Sequence, residues 1–169
     1  MRKKIFAFLL LSALYAGAQE VPDWENPIVV GINKEPYHAT LTLPSQKADC
    51  KEIISLNGKW RFQWSADPGK RPADFYKNDF NTDTWDTITV PGAWQLQGYG
   101  KPIYSNVNYP FQKDAPKVTS EPPAEYYSYG HRNPTGSYVT TFEVTPDMKD
   151  KCLYLHFEGA VSYTHLTLP

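Results

Sequence analysis

Residues 53–64, IISLNGKWRFQW, decide the fold class of this chain. In the second half of this run large apolar and polar residues alternate, so Trp60, Phe62 and Trp64 share one face of an extended strand. The Asn57-Gly58 dipeptide is typical of a tight turn, which predicts that the apolar residues before it form a hairpin with that strand. Three large rings on one face indicate burial against a second layer of sheet.

Further strand patterns follow later in the chain. Residues 87–90 (TITV) form a short β pattern, and residues 136–144 alternate with apolar or β-branched side chains on one face. Residues 153–157 alternate in the same way and are predicted to pair with 136–144 across a turn at 146–148. Short alternating strands separated by turn signals predict an all-β fold, a β-sandwich of the jelly-roll type.

The long segment 91–110, PGAWQLQGYGKPIYSNVNYP, contains four aromatic rings and four side-chain amides. A loop of this length is usually functional or disordered, and disordered segments are poor in aromatic residues. Flat rings mixed with neutral amides suit a ligand that has hydroxyl edges and C–H faces, which describes a sugar. The alternative is that the rings only fix the loop to the core. The rings of Trp60, Phe62 and Trp64 also have two interpretations. They are buried in the core, or alternatively they form a platform on which sugars stack.

The chain has 169 residues, enough for one domain, and a formal net charge of −1. Basic residues do not cluster beyond the N-terminus, which argues against a nucleic-acid surface. Cys50 and Cys152 do not make a disulfide framework. We expect two separate buried thiols, and a single bridge in an oxidising compartment is the alternative.

The first eighteen residues have the pattern of a signal peptide. Basic residues 2–4 precede an apolar stretch that is too short for a stable membrane helix, and Ala16-Gly17-Ala18 is a small-residue cleavage site. We therefore expect the mature chain to begin at Gln19, to be periplasmic or secreted, and to have no membrane contact after cleavage. Residues 19–49, rich in proline, are predicted to be an extended arm.

Within this arm, residues 23–27 (DWENP) group three oxygen-bearing side chains, those of Asp23, Glu25 and Asn26, in one turn. Hard cations such as Mg²⁺ bind such oxygens. The alternative is a turn whose carboxylates are solvated.

An ordered set of motifs spans almost the whole chain from Val21 to Gly159. In chain order these are Asp23-Trp24-Glu25-Asn26-Pro27, His38-Ala39-Thr40, LNGKWRF (56–62), Val90-Pro91, Trp94-Gln95, Gly98-Tyr99, PIYSNVNYP (102–110), Gly136-Ser137-Tyr138 and Leu155-His156-Phe157-Glu158-Gly159. Together they resemble the N-terminal part of the large bacterial β-galactosidases of glycoside hydrolase family 2.

The resemblance implies a jelly-roll sugar-binding domain that precedes an immunoglobulin-like domain and a catalytic (β/α)₈ barrel. The parent enzyme would be a homo-oligomer that hydrolyses terminal β-D-galactose residues from galactoside substrates with retention. Retaining hydrolysis needs two carboxyl groups about 5 to 5.5 Å apart. In the family both catalytic glutamates belong to the barrel, and no residue of this chain matches them. The region alone is therefore expected to be inactive. A stand-alone periplasmic carbohydrate-binding module is the alternative.

The resemblance also assigns site residues. Asn106 would hydrogen-bond galactose hydroxyls, with Val107 beside it; a side-chain amide both donates and accepts hydrogen bonds. Asp23 and Asn26 would supply side-chain oxygens, and Val29 a backbone carbonyl, to part of an ancillary Mg²⁺ shell. A Na⁺ ion would belong to the barrel.

The expected organisation is a signal peptide (1–18), the arm (19–49), an incomplete jelly-roll domain (50–160) and a tail (161–169). The tail, VSYTHLTLP, resembles translated sequencing-adaptor read-through and is predicted to be non-native; a short native strand at 163–168 is the alternative. An incomplete sandwich exposes a sheet edge and an apolar face, so we expect low solubility of the isolated chain.

Overall fold

The computed structural model describes residues 21–36, 53–102 and 110–157. Within these ranges lies one three-stranded antiparallel sheet, made of β1 (Gly58–Ser65), β2 (Asp86–Val90) and β3 (Thr135–Val139) in the order β2-β1-β3. The central strand is therefore the first of these three in chain order. Its N-terminal half pairs with β2 and its C-terminal half with β3.

The remaining regular elements in the described ranges are short 3-10 turns. They comprise Asp23–Glu25, Pro68–Lys70, Trp94–Gln97, Tyr127–Tyr129 and Pro146–Met148. The all-β fold class is thus confirmed, and the described part of the chain supplies one sheet of the predicted sandwich. None of its helices has the length and hydropathy required to cross a membrane.

The alternation in β1 is confirmed, and the middle residue of its apolar face lies in the core. Phe62 is fully buried, whereas Trp60 and Trp64 on the same face are half-buried. Phe62 lies opposite Tyr138 of β3 in the register, and their ring centroids are 4.8 Å apart. The platform alternative fails for Phe62, because a fully buried ring has no face left for a sugar.

The hairpin predicted around Asn57-Gly58 is wrong. Residues 53–57 form no strand, and Gly58 opens β1 with φ of 142°, a conformation that other residues rarely adopt. The carbonyl of Leu56 instead accepts a hydrogen bond from Nε1 of Trp60 at 2.7 Å. The backbone of β1 bonds to strands that come much later in the chain.

The predicted pairing of 136–144 with 153–157 is also wrong within the described residues. β3 ends at Val139, and residues 153–157 have no strand assignment. Phe142, Val144, Leu153 and Phe157, the apolar residues of the two predicted strands, are all exposed.

A second apolar cluster, not expected from the sequence, surrounds the residue before β2. Trp85 is buried, with Phe75 and Phe80 packed against it at centroid distances of 5.9 and 5.8 Å. Its carbonyl accepts a hydrogen bond from the Arg61 guanidinium at 3.5 Å, which connects this cluster to β1.

Candidate functional site at the base of the central loop

The loop 91–110 begins with a fold back over the sheet. Pro91 follows β2, and the 3-10 turn Trp94–Gln97 ends at Gly98, whose φ of 97° lies in the left-handed region that favours glycine. The amide of Tyr99 then donates to the carbonyl of Trp94 at 3.2 Å. The turn therefore places Trp94 and Tyr99 on the same side of the loop.

Both rings pack on the buried centre of the sheet. The centroid of Phe62 lies 6.0 Å from that of Trp94 and 4.7 Å from that of Tyr99, the latter in an edge-on arrangement. Gly136 of β3 has no side chain, which leaves room for the indole of Trp94. For these two rings the interpretation that they fix the loop to the core is confirmed.

An amide in the same turn fixes the loop to the edge of the sheet. Gln97 Oε1 accepts from the backbone N–H of Thr89 at 2.8 Å, and Nε2 donates to the Thr89 carbonyl at 3.0 Å. Gly92 makes this possible, because a Cβ there would lie 2.8 Å from Gln97 Nε2. Gln97, one of the four amides considered for sugar binding, therefore completes the hydrogen bonding of an edge strand.

The far end of the loop is also anchored. The hydroxyl of Ser128, which is buried, donates to the carbonyl of Pro110. The structure thus describes both ends of the loop, up to Pro102 and from Pro110. Asn106 and Val107 lie outside the described residues, so their assignment stays a prediction.

A cavity of about 140 Å³ opens at the base of the loop. Seven of the residues that line it carry aromatic, amide or ammonium groups, and they are Trp64, Trp94, Gln95, Lys101, Phe111, Tyr127 and Asn133. The ammonium of Lys101 lies 5.4 Å from the centroid of the Tyr127 ring. Sequence reasoning did not bring Trp64, Tyr127 and Asn133 together, because they belong to segments far apart in the chain.

The turn at 23–26 is held on the domain by its two middle residues. The guanidinium of Arg71 lies 4.4 Å above the ring of Trp24. The carboxylate of Glu25 accepts from the amide of Val118 at 3.1 Å and from the hydroxyl of Thr119 at 3.2 Å. Glu25, one of the three oxygen-bearing side chains of the turn, therefore docks the arm.

The three residues assigned to a Mg²⁺ shell stay close together in this turn. Asn26 Oδ1 accepts from the amide of Ile28 at 3.1 Å, and the Asn26 carbonyl accepts from the amide of Val29 at 3.0 Å. Asp23 is half-buried beside them. A carboxylate, an amide oxygen and a carbonyl are donors that fit a hard cation. In the described part of the chain no cluster of three His, Cys, Asp or Glu residues could hold a metal.

Two tyrosines at the loop base have altered acidity. Burial raises the pKa of the Tyr138 hydroxyl above its ordinary value. Burial also raises the pKa of Tyr99, followed by a hydrogen bond to the carboxylate of Asp86. Both phenols are therefore neutral at ordinary pH. Cys152 is an exposed free cysteine, so the burial predicted for it is wrong, whereas Cys50 lies outside the described residues.

Comparison with known proteins identifies the family to which this chain belongs. Residues 53–168 match the sugar binding domain of glycosyl hydrolases family 2. This match runs into the segment 161–169; the prediction that the segment is non-native stays a prediction.

Among curated proteins, a β-galactosidase of Vibrio vulnificus (strain CMCP6) is 38% identical over 149 residues, which cover 85% of this chain and 13% of the relative. A β-galactosidase of Priestia megaterium (strain DSM 319 / IMG 1521) is 37% identical over 157 residues, covering 87% of this chain and 14% of the relative. A β-galactosidase of Pseudoalteromonas haloplanktis is 36% identical over 152 residues, which cover 85% of this chain and 14% of the relative. The chain thus spans about one seventh of these relatives' length. The family match extends over most of the chain, from β1 onward, and the chain therefore belongs to glycosyl hydrolases family 2, through its sugar binding domain.

Proposed function

We propose that this chain is the N-terminal sugar-binding region of a β-galactosidase, an enzyme that hydrolyses terminal β-D-galactose residues from β-galactosides with retention. The observation that carries the proposal is the anchored loop: residues 91–102 are fixed by Trp94, Tyr99 and Gln97, and Pro110 by Ser128. A contact with substrate requires a fixed position, and anchors at both ends of a loop support such a role. The β-galactosidase relatives support the substrate class.

In this proposal Asn106 hydrogen-bonds galactose hydroxyls and Val107 contacts the sugar beside it. The amide of Asn106 donates and accepts at once and stays neutral at every working pH, which suits a neutral polyol. The catalytic glutamates lie outside this chain, in the remainder of a homo-oligomeric parent enzyme.

The test is Asn106→Ala in the longer protein that contains this region, with Asn78→Ala as the matched control because Asn78 is exposed. Loss of a hydrogen bond to a sugar hydroxyl costs about 1 kcal/mol or more, so kcat/KM on an aryl β-galactoside should fall about fivefold or more. The control should keep the wild-type value. Equal kcat/KM for wild type and Asn106→Ala would contradict the assignment.

We also propose that Asp23, Asn26 and the Val29 carbonyl contribute oxygens to a Mg²⁺ site. The donor types and the docked turn support this. Magnesium should raise the unfolding midpoint of wild type, since a ligand that binds only the folded state stabilises it, and should raise that of Asp23→Ala less. Glu35→Ala is the control, since it removes an exposed carboxylate of the same arm. An equal Mg²⁺ response in all three proteins would show that the cation binds elsewhere.

A signal peptide would export the protein to the periplasm or beyond, with cleavage after Ala18. The order of basic, apolar and small residues supports this proposal. Mass spectrometry of the protein from a periplasmic fraction should find Gln19 as its first residue. Retention of Met1 in a protein confined to the cytoplasm would contradict it.

A further inference from the structure

We propose that the cavity at the loop base is a second carbohydrate contact, separate from Asn106, which binds one neutral pyranose ring through the indole N–H of Trp64. This inference rests on the proposed function only for the choice of a galactoside as the probe. An unpaired donor, the cavity that its side chain lines and the chemistry of the surrounding walls support this proposal.

The unpaired donor is Nε1 of Trp64. This atom is buried and has no hydrogen-bond partner among the described residues. Buried polar groups are nearly always hydrogen-bonded, and an indole nitrogen can only donate, so the site calls for an acceptor. Trp60, two residues earlier on the same strand face, makes the contrast clear, because its Nε1 donates to the Leu56 carbonyl at 2.7 Å.

Gly100 provides the space. Its φ of 64° lies in the left-handed region, and a Cβ built on it would lie 3.6 Å from Trp64 Nε1 and 3.9 Å from the Tyr127 hydroxyl. The position that a side chain would occupy is therefore bordered by a donor and by a group that both donates and accepts. Trp64, Gly100 and Tyr127 all line the cavity, so a ligand hydroxyl that enters beside Gly100 approaches both groups.

The walls favour a neutral sugar. Besides Trp64, three aromatic rings line the cavity, those of Trp94, Phe111 and Tyr127, and such rings suit the C–H groups of a pyranose. Gln95 and Asn133 contribute amides that match hydroxyl groups. Lys101, already placed above the Tyr127 ring, adds one more donor. The volume of about 140 Å³ limits the occupant to a single ring or a smaller molecule. An anion that pairs with Lys101 is the competing ligand, and the experiment separates the two.

The experiment uses the mature chain labelled with ¹⁵N and follows the N–H signals of its five tryptophan indoles during titration with methyl β-galactoside. Trp64→Phe assigns the Trp64 signal. We expect that signal to shift and saturate with a dissociation constant of about 1 mM or above, as for small ligands with few contacts. The Trp60 signal should stay in place because its N–H already has a partner. Equal shifts of both signals, or no shift of the Trp64 signal, overturn the proposal.

Two variants test the walls. Gln95→Ala should weaken binding about threefold to tenfold, the equivalent of one lost hydrogen bond, whereas Gln112→Ala, at an exposed position, should not. Sodium acetate in place of the sugar should leave the Trp64 signal unchanged. An acetate response equal to that of the sugar would make the cavity an anion site and overturn the proposal.

A second measurement applies if the chain precipitates. A ligand that binds only the folded state raises its population, so methyl β-galactoside should increase the soluble fraction of wild type more than that of Gln95→Ala. An equal increase in both contradicts binding in the cavity.

Repeating the titration with Asn106→Ala separates this proposal from the proposed function. A Trp64 response that persists in that variant supports a separate contact, and one that disappears overturns it. The role of Asn106 is tested separately, by the kcat/KM of the Asn106→Ala enzyme.

Discussion

Gly136 lies directly beneath the indole of Trp94. A Cβ built on Gly136 would be 2.5 Å from Cζ3 of Trp94 and 2.7 Å from Cε2 of Phe62, closer than real side chains approach. The fit joins β3 to the first turn of the central loop and leaves no space for even one methyl group.

Gly136→Ala should therefore destabilise the fold. Overpacking of a filled core typically costs about 1 to 3 kcal/mol, and here the three atoms that would clash belong to two large rings. Urea unfolding measures the change. Gly130→Ala is the matched control, because a Cβ there meets nothing within 4 Å and its φ is −88°. If both variants have the same stability, the rings of Trp94 and Phe62 move aside at little cost in free energy.

Gln97→Ala should lower the free energy of unfolding by about 1 to 2 kcal/mol, because it removes both hydrogen bonds to Thr89 at the edge of β2. Gln97→Glu should be no better, since it keeps the acceptor but places a second oxygen against the Thr89 carbonyl. Leu96→Ala, whose side chain is 83% exposed, should change stability by less than about 0.5 kcal/mol. A Gln97→Ala protein as stable as Leu96→Ala would show that water replaces the amide at no cost.

Glu25→Gln should loosen the arm without unfolding the domain. The carboxylate accepts two hydrogen bonds, from Val118 and Thr119, and charge-assisted bonds of this kind are about twice as strong as neutral ones. Limited proteolysis should cut residues 21–36 faster in the variant, while Glu35→Gln, at an exposed position of the same arm, should be cut at the wild-type rate. Equal rates for all three proteins would mean that Trp24 and Arg71 hold the arm alone.

Tyr138→Phe should change how stability depends on alkaline pH. Burial raises the pKa of this phenol in the folded state above its ordinary value of 10.0. The contribution of the neutral hydroxyl is therefore complete below about pH 10 and is lost as the pH rises through the folded-state pKa. Above pH 10 the free energy of unfolding should fall more steeply for wild type than for the variant, as urea unfolding at several pH values would show. If the free energy of unfolding has the same pH dependence in both proteins, the Tyr138 phenol ionises in the folded chain without loss of stability.

Much of the sheet was predictable from the sequence. The alternation of residues 59–64, the β pattern at 87–90 and the start of the strand at 136 all correspond to observed strands. These predictions succeed because each depends on which side chains share a face, and that property is local. Phe62 at the centre of the alternation is the most deeply buried ring.

Which strands pair with each other could not be predicted in the same way. Asn57-Gly58 has the composition of a hairpin turn, but such turns of type I′ need positive φ at both central residues, and only Gly58 has it. Residues 153–157 alternate as a strand would, yet alternation says nothing about whether a partner strand is present. The cavity was missed for a related reason. Trp64 lies on β1, Gln95 follows β2, and Tyr127 and Asn133 precede β3, so these residues come together only when all three strands pair.

The order β2-β1-β3 also has a consequence for synthesis. Phe62 sits on the first strand to be made, but its neighbours Gly136 and Tyr138 belong to the last strand of the sheet. At about 5 to 20 residues per second, the nascent chain carries an uncovered Phe62 for roughly 4 to 15 s before Tyr138 is added. During that interval Trp94 and Tyr99, which are made earlier than β3, are the first rings able to cover it. The loop that holds the proposed substrate contact would then also shield the growing chain until the sheet can close.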